Sequence, residues 1–236
     1  MTTDDARAAR APRAGTRAPG DGEPDGKPAP GGEARSPKGR RTRLRLLDAG
    51  KTVFERDGFL KAKISDIAAE AGMSHGSFYH YFDSKEQIFR EVAARVEDRL
   101  LDVDDLERAA GGSRDPVARI RAANLWYLDA YRREAGIMRV IEEVSRYDDE
   151  VRAVRVKRDG ALADRIESAI VRLQEQGRAD ERVDGRYAAM ALGGMVARFA
   201  EQMFVAGGAF EFDESVEQLT LLWANSIGLT EATPED

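Results

Sequence analysis

The stretch Ile64–Phe82 reads ISDIAAEAGMSHGSFYHYF and decides the fold of the N-terminal part of the chain. From Ile64 to Ala71, apolar residues recur at i, i+3, i+4 and i+7, which is one face of a helix. Gly72 follows at once, where a helix end favours a left-handed backbone that glycine adopts without a Cβ clash. Ser74 then offers a hydroxyl group that can cap a second helix.

The second helix, predicted over 74–81, has a surface of small, hydroxylated and aromatic polar side chains, while Phe78 and Phe82 share its opposite face. Two short helices of this kind predict a helix–turn–helix, in which one helix braces and the next presents short polar groups to the major groove of DNA. The residues expected to face DNA are Ser74, His75, Gly76, Ser77, Tyr79 and His80. The alternative is that Tyr79 and His80 only cover a small core.

Length and composition narrow the class of protein. A chain of 236 residues corresponds to one or two domains. It has no cysteine, which excludes disulfides, thiolate nucleophiles and thiolate metal sites. No apolar run approaches the ~20 residues of a membrane span, and the first residues, MTTDDARAAR, contain no apolar signal segment. We therefore expect a cytoplasmic protein without a membrane partner.

The charge of the chain is unevenly divided. Residues 1–85 contain 16 Lys and Arg against 12 Asp and Glu, a net charge of +4, and residues 86–236 contain 21 against 31, a net charge of −10. An N-terminal third of this sign suits phosphate, and the acidic remainder disfavours non-specific contact with nucleic acid.

The distribution of proline indicates an all-α fold. Between Lys38 and Thr233 the only proline is Pro116, and the composition is rich in Ala, Arg, Glu and Leu. About nine helices are predicted, over 40–57, 64–71, 74–81, 83–106, 116–134, 137–144, 148–176, 184–206 and 213–228. Gly160 lies inside the seventh, where a kink is an option.

Three segments follow from this pattern. Residues 1–38 are a low-complexity tail of Gly, Pro, Ala, Asp and Arg that should be disordered. Residues 39–85 form the helix–turn–helix domain, and residues 86–230 form a helical domain.

The stretch from Arg41 to Val96 resembles the DNA-binding domain of the TetR family of transcriptional repressors. The resemblance rests on RLRLLDAGKTVFERDGF and ISDIAAEAGMSHGSFYHYFDSKEQIF, about 55 residues in all. Two positions depart from the family pattern: Gly50 replaces the usual alanine, and Lys63 stands where a Thr or Ser cap is usual. The other 140 or so residues are similar to the family only in being helical, acidic and apolar at the end.

The resemblance implies a homodimeric repressor that binds a palindromic operator in double-stranded DNA. The last two helices of each chain would form the dimer interface, and the middle helices would enclose a pocket for a small effector. Its binding would move the fourth helix and release DNA. Effectors in the family include lipids, acyl thioesters and drugs, and a largely apolar ligand is expected here.

Basic residues near the helix–turn–helix are further candidates for DNA contact. Lys85, at the start of the fourth helix, can hold a phosphate near free N–H groups. Arg41, in a basic run before the first helix, and Lys63 are candidates with the alternative of being solvated charges. An arm that reaches a minor groove would use the same basic run.

The ligand pocket is predicted from large, adaptable side chains on the middle helices. The candidates are Trp126, Tyr127, Tyr131, Met138, Ile141, Met190, Phe199 and Met203. Each of them could instead be an ordinary core residue.

The dimer interface is predicted from small and apolar faces of the last two helices, because a patch beside a chain end has little left to bury it within a monomer. The candidates are Gly193, Gly194, Ala197, Leu219, Leu222 and Trp223.

No catalytic or cofactor site is predicted. The two histidines, His75 and His80, are five residues apart, whereas a helical metal site prefers i, i+4 spacing and a third ligand. We therefore do not expect an enzyme. Two alternatives stay open: a helical small-molecule-binding protein, and a transcriptional activator with the same DNA-binding head.

Overall fold

The computed structural model describes residues 36–101, 108 and 111–229, and this part of the chain forms eight α-helices and no strand. The all-α prediction is confirmed, with eight helices in place of about nine. The predicted tail lies outside the described residues except for 36–38, as does the predicted fourth helix beyond Leu101. The helices are α1 (Pro37–Lys61), α2 (Ile64–Glu70), α3 (His75–Phe78), α4 (Lys85–Arg99), α5 (Pro116–Val144), α6 (Asp149–Glu175), α7 (Gly185–Phe204) and α8 (Phe212–Ser226).

Helices α1 to α3 close around a small aromatic core. Phe54, Phe78 and Phe82 are almost completely buried, and Phe89 of α4 joins them, with its ring centroid 4.9 Å from that of Phe54. Gly50, a departure from the family pattern, lies where α1 meets α4: a Cβ atom there would be 3.2 Å from Cδ1 of Ile88. The glycine therefore permits a close approach of the two helices.

The turn and caps of the helix–turn–helix agree with the local chemistry of the sequence. Gly72 has a positive φ of 66°. Ser74 caps α3 by accepting a hydrogen bond from the Ser77 amide at 3.3 Å. Lys63 makes no side-chain cap for α2, and the Ser65 hydroxyl binds Asp66 instead. The third predicted helix is shorter than expected, because the turns after Phe78 use i to i+3 bonds.

The boundaries of the first and fourth helices are well defined. Helix α1 begins at Pro37 under a cap from Ser36, earlier than predicted, and its axis changes at Gly58, whose φ is 72°. Helix α4 begins after Ser84, whose hydroxyl accepts from the Gln87 amide at 3.1 Å. The Gln87 side chain returns a bond by accepting from the Asp83 amide at 2.6 Å.

The fifth and sixth predicted helices are one helix, α5, so the predicted break near Gly136 is wrong. The helix continues because Ile137 and Met138 are buried on its core face. A Cβ atom at Gly136 would lie 3.3 Å from the Glu55 side chain, so the glycine lets α1 pack closely there. Helix α6 likewise runs through Gly160 without a break.

Helices α1 to α3 form the head of the protein, and helices α5 to α8 form its body. Helix α4 packs between the two. Asp115, Asp148 and Asp184 cap α5, α6 and α7 with side-chain oxygens. Helix α8 packs on α5, where Asn124 donates to the buried Thr220 hydroxyl at 3.2 Å. None of the helices in the described residues is both long and apolar enough to cross a membrane.

Candidate nucleic-acid interface and cavities

The surface of α3 is open and polar. Ser74, His75 and Gly76 are exposed, and Ser77 is half-buried with its hydroxyl 2.8 Å from that of Ser74. A Cβ atom built at Gly76 would have no described atom within 4 Å apart from its chain neighbours and the backbone of its own helix. The backbone at this position can therefore come close to a flat partner surface.

Tyr79 and His80 lie on the same surface and do not close the core. Tyr79 is 45 % exposed, and its ring meets those of His75 and Phe78 edge-on, each at a centroid distance of 5.5 Å. His80 is exposed, whereas Phe78 beneath is fully buried. The buried phenylalanine thus fixes α3, and the rings beside it hold Tyr79 outward.

The basic candidates differ in how they are placed. Arg41 and Lys63 are exposed, and neither has an ion-pair partner among the described residues. Lys85 is engaged: its Nζ donates to the carbonyl oxygens of Phe59 at 2.8 Å and Ala62 at 3.2 Å and lies 4.6 Å from the Phe59 ring centroid. Lys85 therefore joins the end of α1 to the start of α4, and a phosphate would compete with these carbonyls.

Ion pairs that sequence reasoning missed connect the head with the body. Glu134 of α5 forms ion pairs with Lys51 of α1 at 3.2 Å and with Arg99 of α4 at 2.9 Å. Arg90 of α4 pairs with Asp148, the cap of α6, at 3.0 Å. The partners are far apart along the chain, so no local spacing in the sequence could have indicated them.

A buried polar cluster lies between α4, α5 and α6. The Glu97 carboxylate is 1 % exposed, and its Oε2 lies 3.1 Å from Nε of Arg158. Arg158 also donates to the Tyr127 hydroxyl at 3.0 Å. Neither oxygen of Glu97 accepts a hydrogen bond from the described residues. Burial raises the pKa of Glu97, although Arg158 and Arg155 partly oppose this.

Two cavities adjoin this cluster. The larger, of about 1020 Å³, lies among α5, α6 and α7 and also reaches Leu100, Leu101 and Trp223. The smaller, of about 240 Å³, lies between α5, α6 and α7. Tyr127 lines both.

Some of the predicted pocket residues line the two cavities, and the others lie elsewhere in the body. Trp126 lines the larger cavity, and Tyr131 and Met190 line the smaller. The remaining four are not among the described lining residues: Met138 and Ile141 are core residues of α5, and Phe199 and Met203 lie elsewhere on α7. Sequence reasoning also missed the arginines of the larger cavity, because each reads as a surface charge.

Some of the predicted interface residues are buried inside the protomer, and others are exposed on its surface. Leu219 and Trp223 are buried within the protomer, and a Cβ at Gly193 would lie 3.2 Å from Ile166 of α6. Ala197 is half-buried, and Gly194 and Leu222 are exposed. Large apolar side chains are exposed on both helices: Tyr187 and Met190 of α7 and Leu221 and Leu222 of α8 are 77 %, 61 %, 53 % and 51 % exposed.

No group of three or more metal-ligating side chains lies together within the part of the chain that the structure describes.

Comparison with known proteins agrees with this architecture. The model of "Bacterial regulatory proteins, tetR family" matches residues 46–92. The regulator YdgC of Bacillus subtilis is 44 % identical over 63 residues, which are 27 % of this chain and 32 % of that protein. The repressor KstR2 of Rhodococcus jostii is 42 % identical over 74 residues, 31 % of this chain and 35 % of that protein. The chain thus spans about a third of the length of these relatives.

Similarity of fold extends further than similarity of sequence. The structure of FadR from Bacillus halodurans superposes with a TM-score of 0.67 over 83 % of this chain and 99 % of that one, at 16 % identity. At this identity the likeness concerns the fold alone. Residues 46–92 therefore match the TetR family of bacterial regulatory proteins in sequence, and the fold is shared with solved TetR-type structures over about 80 % of the chain.

Proposed function

We propose that this chain is a cytoplasmic, homodimeric transcriptional repressor that binds a palindromic operator and leaves it when a small effector binds the body. The observation that carries the proposal is the exposed polar surface of α3, held above the buried Phe78 and Phe82. Hydroxyl and imidazole groups on such a helix can bind phosphates and base edges.

Further support comes from the relatives. KstR2, with 42 % identity over 74 residues, is named a transcriptional repressor. Residues 1–85 of this chain have a net charge of +4, which favours association with a phosphate backbone.

The body supports the dimer and the effector site. Several large apolar side chains on α7 and α8 that are at least half exposed suit self-association through a two-fold axis. Two such heads would require a palindromic site with a fixed spacing of its halves.

Helix α4 is the element that would transmit the effector signal. Its first half contributes Ile88 and Phe89 to the core of the head, and Leu100, just after its end, lines the larger cavity. A ligand that displaces the end of α4 would tilt the head, because Ile88 and Phe89 pack α4 firmly into the core of the head.

Selection from random duplex DNA with the purified full chain tests the proposal. We expect an enriched palindromic sequence that is bound at moderate salt in the presence of competitor DNA. Binding without sequence preference would contradict it. Small-molecule binding without any DNA binding would favour a helical small-molecule-binding protein, and a reporter gene behind the selected site separates repression from activation.

Tyr79→Ala should weaken operator binding about tenfold, the cost of losing roughly one hydrogen bond to a charged group. The variant should fold normally because Tyr79 is 45 % exposed. Tyr147→Ala, which removes a 54 % exposed tyrosine far along the chain in the body, is the matched control. Equal operator affinity of both variants in a titration by fluorescence anisotropy would remove Tyr79 from the interface.

A further inference from the structure

We propose that the larger cavity binds an amphipathic anion, a molecule with an apolar body and a single carboxylate or phosphate group. The inference rests on the effector role proposed above and specifies the chemistry of that effector. It replaces the expectation of a largely apolar ligand.

The size and walls of the cavity suit the apolar body. A volume of about 1020 Å³ is at the upper end of the roughly 300–1,000 Å³ typical of small-molecule sites. Ile120 and Trp126 of α5, Ile166 and Leu173 of α6, and Trp223 of α8 line it. Burying a chain of CH₂ groups against such walls contributes about 0.8 kcal/mol for each group.

The charge of the lining specifies the head group. Among the described lining residues, five are arginines and only Asp164 is acidic. Residues 86–236 as a whole have a net charge of −10, so the described part of the lining is basic although this part of the chain is acidic. The five arginines are Arg114, Arg119, Arg165, Arg172 and Arg178.

Four of these arginines, Arg114, Arg165, Arg172 and Arg178, lack the carboxylate partner among the described residues that several other arginines have. Arg90, Arg121 and Arg158 each pair with a carboxylate at 2.6–3.1 Å. By contrast, Arg114 and Arg172 have no carboxylate partner among the described residues.

Two other cavity arginines donate only to backbone carbonyls in the described structure. Arg165 donates to Leu101 at 2.9 Å, and Arg178 donates to Arg114 at 3.5 Å. A guanidinium group has five N–H donors in a planar fork that matches carboxylate or phosphate, so most of their donors are available for an anion.

The chain itself offers a competing occupant. Asp102, Asp104, Asp105 and Glu107 follow directly after Leu101, which lines the cavity. If the arginines served only this acidic stretch, the charge of an added ligand would not affect its affinity. The two cases therefore differ in a measurable way.

The test compares four probes with the same twelve-carbon chain: dodecanoate, dodecyl phosphate, 1-dodecanol and dodecylamine. The full chain has only two tryptophans, and both line the cavity, so their fluorescence reports binding directly. We expect at least one of the two anions to bind about tenfold more tightly than the alcohol, and the better anion identifies the head group. Equal affinities, tighter binding of the amine, or no binding at all would overturn the proposal.

Arginine variants locate the head group. Arg172→Gln and Arg114→Gln should each reduce the preference for the anion over the alcohol several-fold, because both side chains are exposed at the cavity and removal of their charge leaves the apolar walls intact. Arg186→Gln, an exposed arginine on α7 outside the cavity lining, should leave the preference unchanged. An anion preference that survives both cavity variants would overturn the assignment of these arginines.

The measurement contains no DNA, so it is independent of the repressor proposal. Anion binding without operator binding would leave this inference standing alone. Operator binding together with indifference to ligand charge would contradict only the inference.

Discussion

Glu97 and Arg158 show how one residue pair can connect the parts of this molecule. Glu97 belongs to α4, which packs against the head, and Arg158 belongs to α6 in the body; both are at most 5 % exposed. Arg158 also lines the smaller cavity and donates to Tyr127, which lines both cavities. A ligand that shifts Tyr127 would therefore disturb the only buried acid in the described part of the chain.

Glu97→Gln should change how stability depends on pH. Because burial raises the pKa of Glu97 above its ordinary value of 4.5, the native state binds this proton more tightly than the unfolded chain does. The contribution of Glu97 to the free energy of unfolding should therefore fall as the pH rises from 4.5 to the native pKa of Glu97, and stay constant above it. The variant has no such proton, so its stability relative to the wild type should rise over that interval.

Urea unfolding between pH 4.5 and 7.5 measures this difference. Glu91→Gln is the control, because Glu91 is a partly exposed acid on the same helix that pairs with Arg43. A difference between wild type and Glu97→Gln that stays flat across the interval would show that the Glu97 pKa is not raised.

At the scale of elements, two glycines in helices have opposite roles. Gly58 has φ 72° and ψ 167°, a conformation essentially restricted to glycine, and it sets the direction of the last turn of α1. Lys85 then fixes that turn by donating to Phe59 and Ala62. Gly160, by contrast, lies in a regular part of α6, and the space that a Cβ atom would occupy there is open.

Gly58→Ala should destabilise the protein by about 1–3 kcal/mol because alanine is strained in this conformation. Gly160→Ala should stabilise it by about 0.5–1 kcal/mol because alanine loses less backbone entropy in a helix. Chemical denaturation of the two variants gives both values. The same sign for both changes would contradict this account of the helices.

At the scale of the whole molecule, the proposed dimer depends on which face of α8 points outward. Leu222→Glu should yield monomers and abolish operator binding without unfolding the chain, because Leu222 is 51 % exposed within the protomer. Val156→Glu, at a 64 % exposed apolar position on α6, is the matched control. Sedimentation velocity and circular dichroism check mass and folding; a dimeric Leu222→Glu variant would place the interface elsewhere.

The sequence by itself determined the features that depend on neighbouring residues. The turn at Gly72 and the caps from Ser74, Ser84 and Asp115 involve partners within about four positions, so the residue types at those spacings suffice to predict them. The all-α class and the helix–turn–helix followed from the same local patterns and from the periodicity of apolar residues.

The tertiary structure decided what depends on contacts between distant segments. Periodicity predicts that a helix has an apolar face, but not which neighbour covers it. Sequence therefore placed Trp223 at an interface, although α8 buries it inside the protomer. Lys85 was likewise expected on phosphate and is held by carbonyls 23 to 26 residues away. The arginines at the larger cavity come from separate helices and a loop, so only the packing of these segments brings them together.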